Sequence, residues 1–261
     1  MTKLLESQGL SLTYPNGALA FEDIDLSLDH PMFLAVIGPN GSGKTSLLRT
    51  ILGLTRPTTG WIKVFGVDPV DEGEKIRRLA GYVPQRERLD YNIPVKVRDV
   101  ILMGRMAKRA PPRRPSVGDF DAVLETATLL GLEALLDNRL SELSGGQQQR
   151  VLVARAITAG AELLLLDEPL AAADVESQSS ILEVLRNMWK REGKSVIMVT
   201  HDLNPCHRYV DRVLLLKNRI VGFGEACDVM NEETLSQVYG TKITVVRHED
   251  HLYAITGDTH G

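Results

Sequence analysis

The chain has 261 residues, of which 43% are hydrophobic and 25% charged, with a formal net charge of −4. That length suits one large soluble globular domain with a small appendage, and the acidic balance argues against a general nucleic-acid binder. No apolar run approaches the roughly 18 residues of a membrane span, residues 1–6 lack a signal-peptide core, and Cys206 and Cys227 make no disulfide framework.

In chain order, residues 10–14 and 24–28 alternate like strands, with turns at Pro15-Asn16-Gly17 and Asp29-His30-Pro31, an antiparallel hairpin pattern. The apolar run 33–37 reads as a buried parallel strand. It leads into Gly38-Pro39-Asn40-Gly41-Ser42-Gly43-Lys44-Thr45, the pattern G-x-x-x-x-G-K-[ST]. Residues 45–52 then start a helix with an apolar face. Strand, glycine turn and helix are the context a phosphate loop needs. Glycines let the backbone curl around a phosphate, and the turn's N–H groups and the helix N-terminus hold negative charge. Lys44 is then placed to reach the terminal phosphates and Thr45 to ligate Mg²⁺.

Further along, residues 61–65 and 80–83 fit another strand pair, and residues 97–103, 123–130 and 147–158 read as helices. Two short apolar runs, 163–166 and 195–199, read as buried parallel strands. The amphipathic segment 175–190 between them makes a strand–helix–strand crossover. Residues 213–216 and 220–223 form a hairpin around Lys217-Asn218-Arg219, and a smaller hairpin fits 242–246 and 252–255.

The strand at 163–166 runs into Asp167-Glu168-Pro169. An acidic residue at such a strand end supplies a second Mg²⁺ contact, which selects Asp167. Glu168 follows, where a carboxylate can polarise an attacking water. Upstream, Ser144-Gly145-Gly146-Gln147 is a serine and glycine turn capping a helix, a further anion site of backbone N–H groups.

Leu143-Ser144-Gly145-Gly146-Gln147, the phosphate loop and the Asp167-Glu168 pair together closely resemble the ATP-binding cassette (ABC) ATPases, as the nucleotide-binding subunit of a transporter. The resemblance covers residues 3 to about 230. It implies an α/β fold: a P-loop NTPase core with a mainly parallel sheet, an N-terminal antiparallel β subdomain and an inserted helical subdomain at about 86–160. Residues 1–230 would form the ATPase domain and 231–261 a helix/hairpin tail. The resemblance also implies roles. Gly38 through Ser46 hold the phosphates, and Tyr14 stacks on adenine. Gln85 senses Mg²⁺ and links the core to the helical region. His201 contacts the γ-phosphate and holds Glu168 and the water. Asp174 contacts the opposite subunit, although Ala171-Ala172-Ala173 before it departs from the Gly or Ser and apolar residue of relatives. The catalytic set is then Lys44, Gln85, Glu168 and His201, with Thr45, Gln85 and Asp167 at Mg²⁺. With one phosphate loop and one Leu-Ser-Gly-Gly-Gln per chain, ATP is expected between Lys44 of one copy and Ser144, Gly145, Gly146 and Gln147 of another, in a head-to-tail homodimer.

Tyr82-Val83-Pro84-Gln85-Arg86, Asp90-Tyr91 and residues 94–105 are similar to the manganese, zinc and iron importer group, with Tyr91 replacing the usual tryptophan. This similarity implies import of a divalent metal through separate membrane permease subunits, served indirectly by an extracytoplasmic solute-binding protein. The chain would then sit peripherally on the cytoplasmic membrane face, with no nucleic-acid partner. Siderophore and haem importers have related segments. Soluble DNA-repair or translation ABC ATPases usually insert a coiled coil or carry two cassettes, and exporters are commonly fused to their membrane spans; neither feature occurs here. A non-hydrolysing scaffold is disfavoured by Lys44, Asp167, Glu168 and His201. Arg105, Lys108, Arg109, Arg113 and Arg114 read as a solvated loop, with anionic lipid headgroups as the sharper reading. His248, Glu249, Asp250 and His251 read as a polar surface turn, with a transition metal as the sharper reading.

Overall fold

The structure is a computed structural model that describes residues 3–85, 94–109, 114–171, 173–202, 204, 207–248 and 251–256. Two compact units divide the chain: Met1–Ile76 with Ile197–Gly261, and Arg77–Val196.

In the first unit, β1 (Lys3–Thr13), β2 (Leu19–Asp29) and β4 (Thr59–Val64) form an antiparallel sheet in the order β2-β1-β4. Phe21, Ile24, Leu26 and Leu28 of β2 are buried, with exposed Asp23, Asp25 and Ser27 interleaved, the period of a half-buried strand. Both β1 and β2 run longer than their apolar alternation indicates. Pairing continues through polar residues: Glu6 faces Ser27 on one side and Lys63 on the other.

β3 (Phe33–Ile37) is buried at every position and pairs in parallel with β8 (Arg212–Leu216). β8 turns into antiparallel β9 (Ile220–Gly224), the hairpin expected around Asn218. After the phosphate loop, α1 (Lys44–Ile51) buries Leu47, Leu48 and Ile51. The unit ends with α7 (Ala226–Val229), α8 (Glu232–Tyr239) and the hairpin of β10 (Ile243–His248) and β11 (His251–Thr256). In that hairpin His248 pairs with His251 through the backbone; Glu249 and Asp250, and the two histidine side chains, lie outside the described residues.

The second unit holds β5 (Ala80–Val83), parallel to β6 (Leu163–Asp167). The expectation that 61–65 and 80–83 pair with each other is therefore corrected: β4 pairs with β1, and β5 with β6. The burial patterns show why. β4 is exposed at four of its six positions, whereas β5 and β6 are buried almost throughout, as parallel core strands are. α2 (Gly73–Leu79) precedes β5, and β7 (Ser195–Thr200), wholly buried, carries the chain back into the first unit.

The helices of this unit are α3 (Val97–Ala107), α4 (Val117–Leu129), α5 (Gly145–Thr158) and α6 (Val175–Glu192). α3 lies so close to α5 that a Cβ on Gly104 would strike the Arg155 carbonyl oxygen. α4 begins six residues before the apolar segment that announced it, because Ser116 caps it. The Asp119 carboxylate accepts from the Ser116 N–H and hydroxyl, each at 2.7 Å. It is fully buried and also takes Arg105 Nε at 3.1 Å and Arg109 Nη2 at 2.7 Å. The Ser116 N–H, then its hydroxyl, and then the two guanidiniums pull this carboxyl from 3.8 down to about 2. Arg105 and Arg109 are thus ties between α3 and α4 rather than a solvated run; Arg113 lies outside the described residues.

Candidate active site

The phosphate loop belongs to the first unit. Close backbone approach dictates two of its glycines. A Cβ on Gly38 would strike the Leu216 carbonyl at the end of β8, and one on Gly43, whose φ is 97°, would strike the Ala20 carbonyl. Between them, the Ser42 N–H donates to the Pro39 carbonyl at 3.2 Å. Buried Lys44 donates to the carbonyls of Gly38 (2.7 Å) and Pro39 (3.0 Å), which holds its ammonium over its own loop. No acidic side chain of α1 itself occupies its first turn, which favours an anion at the positive helix end. Ser42 Oγ is buried without a hydrogen-bond partner among the described residues, a donor suited to a phosphate oxygen. Asn40 and Gly41 form the exposed outer part of the loop, and Thr45 and Ser46 lie in the first helical turn. Tyr14, just past β1, lies with its hydroxyl 2.9 Å from Ser46 Oγ, which ties it to this turn.

Asn218 is a functional residue that sequence reasoning missed. It sits between β8 and β9 at φ 56°. Its N–H donates to the Ser42 carbonyl at 3.0 Å, and its Nδ2 donates to the carbonyls of Ala20 (2.8 Å), Gly41 (3.4 Å) and Leu19 (3.4 Å). One asparagine thus clamps the phosphate loop against β2. Its place in a tight hairpin turn signalled the left-handed backbone, which Asn tolerates, but not what its amide would grip. His201 follows β7 with an exposed side chain, and its carbonyl accepts the Tyr239 hydroxyl at 2.8 Å.

The second unit carries the acidic strand end and its neighbours. Asp167 is the last residue of β6 and is fully buried. Glu168 is also buried, at φ 53°, a conformation uncommon for glutamate. Such strain persists where surroundings over-determine it, and its carbonyl indeed accepts the Ala171 N–H at 3.2 Å. Asp174 caps α6: its Oδ1 accepts the Ser177 N–H at 2.8 Å. That bond, helped by the Ser177 hydroxyl and by the charge of Arg150, draws its carboxyl below the usual range. Gln178, also missed from sequence, reaches back from α6 to the carbonyls of Leu170 (3.3 Å) and Ala173 (3.2 Å) and so holds the loop before Asp174. Ala172 lies outside the described residues.

Ser144 caps α5 in a reciprocal box. Its Oγ accepts the Gln147 N–H at 3.3 Å, and its own N–H donates to Gln147 Oε1 at 2.9 Å. Gly145 and Gly146 form the first turn, where helix geometry leaves N–H groups without intrahelical partners. Gln85 is half-buried, two residues beyond β5; Arg86, Asp90 and Tyr91 lie outside the described residues. The first unit therefore brings Tyr14, Gly38 and Lys44 together around one helix start. The second places Asp167 and Glu168 at one strand end.

Comparison with known proteins gives the family. The model of the family described as "ABC transporter" matches residues 21–171. The chain is 37% identical over 226 residues to the manganese transport system ATP-binding protein MntB of Bacillus subtilis (strain 168), covering 87% of this chain and 88% of that one. It is 38% identical over 222 residues to the zinc transport system ATP-binding protein TroB of Treponema pallidum (strain Nichols), covering 85% and 82%. Among solved structures, it is similar to the dimeric post-hydrolysis state of the ATP-binding cassette MJ0796 bound to ADP and Pi. There the TM-score is 0.76 at 28% identity, with 85% of this chain and 98% of that chain covered. On its phosphate loop, its acidic strand end and these relatives, the chain belongs to the ABC transporter family, as an ATP-binding cassette with the P-loop fold.

Proposed function

We propose that the chain hydrolyses ATP to ADP and phosphate and thereby powers import of a divalent metal ion, manganese, zinc or iron, through separate membrane permease subunits. The observation that carries the chemistry is the phosphate cradle. It has a buried lysine, a buried serine hydroxyl with no hydrogen-bond partner among the described residues, and a helix start with no acidic side chain in its own first turn, all on one loop. Lys44 and the loop N–H groups bind the β- and γ-phosphates, and Tyr14 faces the base. Glu168 takes a proton from the attacking water, and His201 holds the γ-phosphate side. Thr45, Gln85 and Asp167 offer the hard oxygen donors that suit Mg²⁺. When bound, Mg²⁺ would offset the charge shared between the β- and γ-phosphates. The exposed, capped start of α5 with Ser144 supports a head-to-tail second copy completing the site, with Asp174 at the same contact. Residues 1–230 act as the ATPase domain and 231–261 as its tail.

Metal as cargo is supported by the relatives named for manganese and zinc transport. No helix among the described residues is long and apolar enough to cross a membrane, which accords with a separate permease and a peripheral place on the cytoplasmic face. A strain lacking the gene, rescued with wild type or with Glu168→Gln, tests the reading. One of manganese, zinc or iron should fall in the cell and return only with wild type. The purified Glu168→Gln protein should bind ATP yet turn over about 10²–10⁴-fold more slowly. Unchanged metals would refute the cargo, and unchanged turnover would refute the role of Glu168.

A further inference from the structure

The tail does more than follow the core. α8 begins at Asn231, whose side chain accepts from the N–H and hydroxyl of Thr234, each at 2.9 Å. Its far end makes two contacts with different parts of the first unit. Lys217 Nζ donates to the Gln237 carbonyl at 2.8 Å, a favourable place for a cation at a helix C-terminus. Lys217 directly precedes Asn218, the residue that clamps the phosphate loop. Two residues after Gln237, the Tyr239 hydroxyl donates to the His201 carbonyl at 2.8 Å.

The hairpin makes a third contact. Asn204 receives the Ala254 N–H on Oδ1 at 2.9 Å and donates Nδ2 to the Ala254 carbonyl at 3.3 Å, so its amide pairs with the strand edge as another strand would. The Asn204 carbonyl lies 3.0 Å from His207 Nδ1, and its N–H donates to Asp202 Oδ1 at 3.0 Å. Two side-chain hydrogen bonds hold α8 and the hairpin together: Ser236 Oγ accepts the Ile243 N–H, and Glu232 Oε1 accepts the Val245 N–H. The segment after β7 is therefore gripped at His201 and at Asn204 by one tied assembly, which also holds the turn behind the phosphate loop.

We infer that α8 and the β10–β11 hairpin are a positioning device for His201, with Tyr239 and Asn204 as the positioning residues. This rests on the reading of His201 as a γ-phosphate contact. The His201 side chain is exposed, and its backbone lies directly after a wholly buried strand. Fixing its backbone carbonyl from outside the segment keeps the imidazole where the transition state needs it, and ground-state binding of ATP gains little from that.

The test is a double-mutant cycle on the full-length protein, with ATP as ligand. Tyr239→Phe removes one hydroxyl and keeps the ring. It should lower kcat about fivefold, the worth of one hydrogen bond, while KM stays within error and the melting temperature falls by no more than about 2–4 °C. In a His201→Ala background, Tyr239→Phe should have no further effect on kcat, because its effect on turnover passes through the His201 side chain. Asn204→Ala should follow the same pattern, and Asn204→Asp, which keeps the acceptor, should recover part of the loss. An unchanged kcat in Tyr239→Phe would overturn the inference, and so would an equal fall in both backgrounds or a fall explained by a lower melting temperature. If His201→Ala alone leaves kcat unchanged, the underlying reading of His201 is wrong, and that failure is recognisable before Tyr239 is considered.

Discussion

The phosphate loop and the Ser144 turn both stand at helix N-termini, but they are built in different ways. The Ser144 turn is finished locally: serine and Gln147, three residues apart, satisfy each other, and Ser144 stays exposed. The phosphate loop is finished from far away. Ala20, Leu216 and Asn218 shape it, the last of them 177 residues from the Gly41 it holds. A local cap orders a helix end cheaply but leaves one open side. Distant clamps enclose a ligand and also tie that enclosure to the rest of the unit.

The largest effect that this contrast predicts is at Lys44. Its ammonium is a full positive charge held directly over the loop carbonyls. Lys44→Ala should reduce ATP turnover by about 100-fold or more, read in a steady-state phosphate-release assay. Near-normal turnover would mean that backbone N–H groups suffice, and the two helix ends would then be more alike than their construction suggests.

A smaller effect is expected at Asn218. Asn218→Ala deletes three side-chain hydrogen bonds and leaves a Cβ at φ 56° with no compensating amide. The loss should be about 2–3 kcal/mol in urea denaturation, with ATP affinity about tenfold weaker. Asn218→Gly relieves the backbone but not the lost amide, so it should fall between Ala and wild type. If Ala and wild type unfold at the same urea concentration, the loop is shaped by its own sequence and the distant clamp is incidental.

What was legible follows the same division. Gly38 through Thr45, the Ser144 box and the Asp167-Glu168 strand end are contiguous, so pattern and local physics identify them together. The apolar runs of β3, β6 and β7 were equally plain, because full burial leaves no polar residue to confuse the period. Asn218, Gln178 and Tyr239 were illegible because each acts on a carbonyl, and every residue has one. A side chain that grips backbone leaves no complementary residue to find. Asp119 was hidden for a related reason: Arg105 and Arg109 read as a solvated run until the buried carboxylate between α3 and α4 was in view. Strand pairing failed once, at β4 and β5, because neighbours in sequence were given to each other while their burial patterns belonged to different kinds of strand.

The smallest predicted effect is at Ser144, and it tests the local end of the comparison. Ser144→Ala removes the oxygen that accepts the Gln147 N–H but leaves Gly145 and Gly146 in place. The cost to folding should be about 1 kcal/mol, the ordinary worth of a helix cap. ATP affinity of the isolated chain should not change, since the phosphate loop does not draw on this turn for its construction. Turnover should fall only at protein concentrations where chains associate, because in the proposed head-to-tail pair another copy completes the open side of the turn. Equal turnover losses at low and high concentration would show that Ser144 serves its own chain's site, and the Ser144 turn would no longer be the incomplete partner of the phosphate loop.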